Sequence, residues 1–129
     1  MSCKQPHKLF RHDGRRTYSI VLESGDEVVH SLVAFARRNG LSQAEFTGLG
    51  GLREVLLGCF EVDGHPTLNV PISEEVGVAS LTGRIALTDG EPRVDPRAIV
   101  RTADGGAWGG RLLGGLASPR LEIFLNAND

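Results

Sequence analysis

An α+β fold is predicted: a mostly antiparallel β-sheet of seven or eight strands with one main α-helix packed on one face. Three features of the 129-residue sequence carry this expectation. Two Asp-Gly pairs, Asp89-Gly90 and Asp104-Gly105, lie between runs of alternating apolar residues. Such a pair supplies the positive φ that a type I′ hairpin turn needs at both central positions. Leu81, Ile85 and Leu87 fall on odd positions while Ser80, Thr82, Arg84 and Thr88 fill the even ones, the period-two pattern of a half-buried strand. Only SGDEVVHSLVAFARRNG, from Ser24 to Gly40, has long helical spacing. Hairpin-linked strands beside a single helix make a largely antiparallel sheet covered on one side.

The elements follow in order. Residues 1–16 form a basic N-terminal arm: Lys4, Lys8, Arg11, Arg15 and Arg16 stand against Asp13 alone. The domain proper is expected over 17–129 and carries nine basic and fifteen acidic residues, a net of −6. Thr17–Leu22 is rich in β-branched and aromatic residues and predicts a strand. In the helical stretch, Ser24 and Glu27 have capping-box spacing, and Asp26 and Glu27 suit the positive end of the dipole. Val28, Val29, Leu32, Val33 and Ala36 make one apolar face. Asn39-Gly40 supplies a left-handed C-cap, so the helix is expected over about Asp26–Asn39.

Ala44–Leu49 and Glu54–Asp63 read as two strands separated by Gly48, Gly50 and Gly51, with a turn at Asp63-Gly64. Pro66–Pro71 is bracketed by prolines and so is expected at an edge. Glu74–Thr88 is a long strand in which Val76 and Val78 lie on even positions. Its phase flips near Ala79, which predicts a bulge. Arg93–Thr102 contains Pro96, which cannot donate to a ladder; the strand is an edge, or this position faces away from its partner. Gly106–Leu113 and Leu121–Asn126 close the chain, the latter with Leu121, Ile123 and Leu125 on one face.

The composition excludes several function classes. At 40% apolar and 23% charged, the chain reads as one ordinary soluble domain. No apolar run approaches a membrane span and no secretory signal is apparent, so the expectation is no membrane and a cytoplasmic location. Cys3 and Cys59 have neither metal nor disulfide spacing and read as free thiols. His7, His12, His30 and His65 are not spaced for shared chelation. Glu74 and Glu75 are adjacent in a strand and point to opposite faces, so they are no catalytic pair. Ser80 and Thr82 have no histidine that can be placed beside them as a base. The glycine-rich stretches Gly48–Gly51 and Gly109-Gly110 open no helix, and fit tight turns or close backbone approach better than a phosphate cradle. No catalytic residue and no cofactor are expected.

The order of strand, capped helix, AEFTGLGGL, EVGVASLTGRIALTDGEP and GGRLLGG resembles the plants and prokaryotes conserved (PPC) domain, also known as domain of unknown function 296. The resemblance covers about Thr17–Asn126. It implies a homotrimer. It also implies a relation to plant AT-hook nuclear proteins and to stand-alone prokaryotic members labelled DNA-binding. Those members often carry a His-x-His pair and a third histidine that look like a zinc site. The matching positions here are Asp95, Arg97 and Arg111. Zinc needs a lone pair, and a guanidinium has none to give, so no metal is expected. Two readings of the replaced site stay open. One is an ion pair of Asp95 with Arg111 or Arg97. The other is an anion pocket made by whichever arginine Asp95 leaves unpaired. Two plant features are missing: Asp13-Gly14-Arg15-Arg16 lacks the proline of an AT-hook, and the partner motif would fall on Glu74–Ala79, with Glu75 in place of its arginine.

Three functions follow as expectations. The first is a non-enzymatic homotrimeric binding or assembly protein. The second is a DNA-binding protein using Lys4, Lys8, Arg11, Arg15 and Arg16. The third is a small-anion sensor or enzyme at Arg97 and Arg111.

Overall fold

The computed structural model describes residues 7–12, 15–59 and 68–128. Its strands are β1 (His7–His12), β2 (Arg15–Glu23), β3 (Gln43–Cys59), β4 (Leu68–Ile72), β5 (Val76–Thr88), β6 (Glu91–Arg101) and β7 (Ala107–Asn128). The helix α1 (Val28–Arg38) lies between β2 and β3 in sequence. All seven strands join one antiparallel sheet in the order β1-β2-β7-β6-β5-β3-β4. β7 also pairs with β3, so β3, β5, β6 and β7 close on themselves. The expected α+β class is the fold observed.

Two pairs of expected strands are each one long strand. Ala44–Leu49 and the start of Glu54–Asp63 are both part of the 17-residue β3, which continues through its glycines with register shifts at Gly48/Gly50 and beyond. The reason is close approach: a Cβ on Gly51 would lie 2.2 Å from the Ser118 carbonyl oxygen. The glycines therefore let β7 cross at contact distance and do not end the strand. Gly106–Leu113 and Leu121–Asn126 are likewise one 22-residue strand, β7, which changes partners along its length, from β6 to β3 and β2. The Asp63-Gly64 turn, His65 and Cys3 lie outside the described residues.

The helix forms as its spacing predicts, but its cap differs. Glu27, not Ser24, is the N-cap: its Oε1 accepts from the His30 N–H at 2.8 Å and its Oε2 from the Gly115 N–H at 2.9 Å. The carboxylate thus satisfies a helix donor and ties the helix to β7. At the other end Gly40 has φ 62°, Leu41 N–H donates to Ala36 O, and Gly40 N–H to Arg37 O, the Schellman arrangement. Val28, Leu32, Phe35 and Ala36 are buried, and Phe35 meets Tyr18 edge-on at 4.9 Å.

The hairpins divide. Asp89 (φ 53°) and Gly90 (φ 80°) both take the left-handed region, as a type I′ turn requires. At Asp104-Gly105 only Gly105 does (φ 89°), and the expected two-residue turn is a longer loop. Thr102 N–H donates to Gly106 O, Gly105 N–H to Thr102 O, and the Thr102 hydroxyl to the Asp104 carboxylate. The predicted bulge at Ala79 is present as a register shift between Val78 and Ser80. Pro96 sits in β6 one residue before pairing with β7 begins at Arg97↔Arg111, so its missing N–H breaks no ladder on that side. β4 is an edge strand, as its prolines predict.

The sheet has an inward and an outward face. Tyr18, Ile20, Phe46, Leu81, Ile85, Val94, Leu121, Ile123 and Leu125 point inward and form one buried cluster with the helix. Leu87 breaks the expected alternation and is exposed, at the β5–β6 turn. The β1–β2 hairpin spans the expected boundary between residues 16 and 17: Leu9 pairs with Tyr18 and Arg11 with Arg16. The sheet thus begins in the basic segment, because β2 starts at Arg15 and offers β1 a free edge.

Candidate functional site

The outward face is ordered by strand register. One row of directly opposed residues runs Phe124–Thr47–Thr82–Arg97–Arg111 across β7, β3, β5, β6 and back to β7. A second row runs Asn126–Glu45–Arg84–Asp95. Side chains two apart on a strand share a face, so the two rows stand side by side. Between them lies a cleft of about 570 Å³. β3 contributes Glu45 and Thr47, β5 Thr82 and Arg84, β6 Asp95 and Arg97, and β7 Phe124 and Asn126.

Asp95 takes Arg111 as its partner and leaves Arg97 without one among the described residues. Arg111 Nε donates to Asp95 Oδ1 at 3.1 Å; the two side chains are 34% and 49% exposed. Arg97 stands directly opposite Arg111 and two residues from Asp95, yet has no ion pair or side-chain hydrogen bond among the described residues. Like charges directly opposed across a ladder repel. The diagonal pair with Asp95 offsets that repulsion for Arg111 and leaves Arg97 facing the cleft. Arg84 Nε lies 3.9 Å from Glu45 Oε1, a loose contact between exposed groups.

The donor set does not fit zinc. Arg97 and Arg111 have no lone pair, and the one carboxylate is engaged by Arg111. Among the described residues, no three His, Cys, Asp or Glu side chains cluster as metal ligands. Among the described residues, the cleft lining contains no histidine or cysteine. The two adjacent acids weighed in the sequence have structural partners. Glu74 Oε1 accepts from Ala103 N–H at 3.0 Å, and Glu75 Oε1 from the Ser118 hydroxyl at 2.6 Å; both acids precede β5, which begins at Val76, so the expected strand is shorter by two residues at this end.

Of the basic segment, Lys4 lies outside the described residues, Lys8 and Arg11 are in β1, and Arg15 and Arg16 are in β2. Arg16 Nη1 donates to Asn39 O at 3.4 Å, at the negative end of the helix, which gives it a structural task. Sequence reasoning missed Thr47, Arg84, Glu45, Phe124 and Asn126 as cleft residues. Alternation puts Thr82 and Arg84 on one face of β5, but nothing local shows that β3 and β7 complete that face.

Beside the cleft the outward face is apolar. Leu49 is 54%, Ile99 47% and Phe124 39% exposed. Leu49 opposes Glu122 and Phe124 opposes Thr47, so Leu49 and Phe124 are diagonal neighbours on adjacent strands. No helix among the described residues is long and apolar enough to cross a membrane.

The sequence matches the family model of the Plants and Prokaryotes Conserved (PCC) domain over residues 11–128. Among solved structures, a plant- and prokaryote-conserved (PPC) protein of Pyrococcus horikoshii is similar, with 27% identity and a TM-score of 0.81, covering 96% of this chain and 82% of its own. A protein of Ralstonia eutropha JMP134, named as a candidate DNA-binding protein, has 25% identity and a TM-score of 0.77 over 93% of this chain and 82% of its own. A metal-containing protein of Archaeoglobus fulgidus shares the fold at 18% identity, with a TM-score of 0.79 over 96% of this chain and 84% of its own. No curated protein matches the chain.

Proposed function

The chain belongs to the Plants and Prokaryotes Conserved domain family, and on that premise we propose that it is a non-enzymatic homotrimeric binding and assembly module in which a salt bridge occupies the family's metal position. The observation that carries the reading is the outward sheet face. Leu49, Ile99 and Phe124 expose large apolar surface on the strands, where solvent-facing positions are ordinarily polar. Covering that face with further copies of the chain returns this surface to a dry environment. Both signs of charge flank it, Arg84 beside Glu45 and Arg120 bonded to Glu122, so neither a basic nor an acidic field opposes the approach of a neighbouring subunit.

The non-enzymatic half rests on the cleft chemistry. Its hydroxyls, Thr47 and Thr82, have no histidine beside them among the described residues, and its two carboxylates, Glu45 and Asp95, face arginines. Sedimentation equilibrium tests the assembly half. The expected mass is three times the 13.8 kDa of one chain, falling to a single chain mass in Leu49→Asp/Phe124→Asp; a wild-type mass of one chain refutes it. Elemental analysis tests the metal half, with stoichiometric zinc as the refuting result.

A second reading, nucleic-acid binding, has one observation in its favour. The β1–β2 hairpin holds Lys8, Arg11 and Arg15 along a sheet edge, which three subunits would present three times. The Ralstonia eutropha relative's name points the same way. Duplex retention at low salt that is lost in Lys8→Glu/Arg11→Glu/Arg15→Glu supports it, and no retention at low salt removes it.

A further inference from the structure

We propose that the outward cleft binds a small organic monoanion, a carboxylate with a flat apolar body, at the Arg97 guanidinium. This deepens the reading of the chain as a binding module; Phe124 belongs to both, so in the assembled protein the cleft opens beside the subunit contact.

Charge accounting comes first. Four charged side chains line the cleft: Glu45, Arg84, Asp95 and Arg97. Asp95 faces Arg111 at 3.1 Å and Glu45 faces Arg84 at 3.9 Å. The four lining charges cancel, but Arg111, just outside the lining, already offsets Asp95; with it counted the five side chains sum to one positive charge, and Arg97 alone has no partner among the described residues. A guanidinium presents parallel N–H donors in a fork that matches the two oxygens of a carboxylate.

The neighbours supply the rest of a site. Thr82 opposes Arg97 and Thr47 opposes Thr82, and neither hydroxyl has a hydrogen bond among the described residues. The Thr17 hydroxyl donates to Asn126 Oδ1 at 2.9 Å. That bond sets the orientation of the amide and leaves its NH₂ group as the donor available to a ligand. Phe124 ends the same row and provides the apolar wall. The volume, about 570 Å³, is that of a small-molecule site.

The same accounting selects among anions. Glu45 and Asp95 stand in the cleft with Arg97. A dianion such as hydrogen phosphate would meet both carboxylates with only one surplus cation to offset them. A monoanion neutralises the surplus, and an aromatic body gains contact with Phe124 that acetate cannot make.

The test is titration of the full-length chain with benzoate, acetate and inorganic phosphate, followed by amide and guanidinium chemical shifts. Saturable benzoate binding is expected, tighter than acetate or phosphate, with the largest shifts at Arg97, Thr82 and Phe124. Arg97→Gln is expected to weaken benzoate about tenfold or more, the usual cost of losing a charge-assisted pair. Arg97 is exposed and bonded to nothing described, so this variant keeps the fold, and its melting temperature checks that. Asp95→Asn, which releases Arg111, is expected to tighten binding. No saturation, unchanged affinity in Arg97→Gln, or phosphate binding tighter than benzoate each overturns the proposal. Mass measured on the same samples separates the two claims: a trimer that ignores benzoate refutes only this site, and a monomer that binds it refutes only the assembly.

Discussion

The inward and outward faces of one sheet are built on the same strands and obey opposite rules. On β3, Phe46 is sealed in the core while its neighbours Glu45 and Thr47 line an open cleft. On β7, Leu121, Ile123 and Leu125 are fully buried, and Phe124 between them is 39% exposed. The inward residues are interchangeable in kind: they fill volume. The outward residues are arranged by chemistry, with apolar groups at one end, and hydroxyls, ion pairs and a guanidinium with no partner among the described residues beside them. One face therefore holds the fold together, and the other is available to bind.

The sharpest way to break this contrast is to truncate one phenylalanine on each face. Phe46→Ala should cost about 3–5 kcal/mol of unfolding free energy, through lost burial and the cavity left behind. Phe124→Ala should change the unfolding free energy of the subunit by less than about 0.5 kcal/mol. Equilibrium denaturation of the two variants, at a concentration where both are in the same assembly state, checks the difference. Equal costs would erase the distinction.

Gly83 probes the inward face from the cleft side. A Cβ there would lie 2.3 Å from Phe46 Cζ, so Gly83→Ala must displace the ring. A loss of about 1–3 kcal/mol is expected in denaturation. The helix gives a smaller effect: Glu27→Ala removes the N-cap and the bond to Gly115, for about 1–2 kcal/mol, and Glu27→Gln should recover part of it. On the outward face, Asp95→Asn should cost no more than about 1 kcal/mol despite breaking an ion pair, because both partners are substantially exposed.

The smallest effect is a pH dependence in the β6–β7 loop. The Thr102 hydroxyl, then the Gly106 N–H, hold the Asp104 carboxyl below its usual range. Its folded pKa is thus lower than its unfolded one. Its contribution to the loop is present above the unfolded value, and is lost as pH falls through the lowered folded value. Amide shifts of Gly106 followed from neutral to acid pH should titrate with a midpoint below that of a free aspartate. A midpoint at or above it would contradict the geometry.

Local chemistry in the chain identified most elements correctly. The helical face, the Asn39-Gly40 cap, the Asp89-Gly90 turn, the bulge at Ala79 and the triplet Leu121, Ile123 and Leu125 all stand where spacing and turn residues place them. Apart from the Asp104-Gly105 loop and the exposed Leu87, what failed were judgements on which a distant strand acts. Glycines read as breaks in β3 are crossings under β7, since the atom that requires Gly51 belongs to Ser118. Glu27 read as the reciprocal partner of Ser24 is itself the cap, held by Gly115 from another strand.

The site divides in the same way. From the amino-acid order alone it followed that Asp95 and Arg97 share a face, because two residues is the strand repeat, and that two guanidiniums make poor metal ligands. Which arginine the carboxylate takes, and that Thr47, Phe124 and Asn126 join them, was settled only by the register of β3, β5, β6 and β7. Period and protonation are properties of a residue and its near neighbours. Register is a property of strands that meet from opposite ends of the chain, and it is decided by how their buried faces pack.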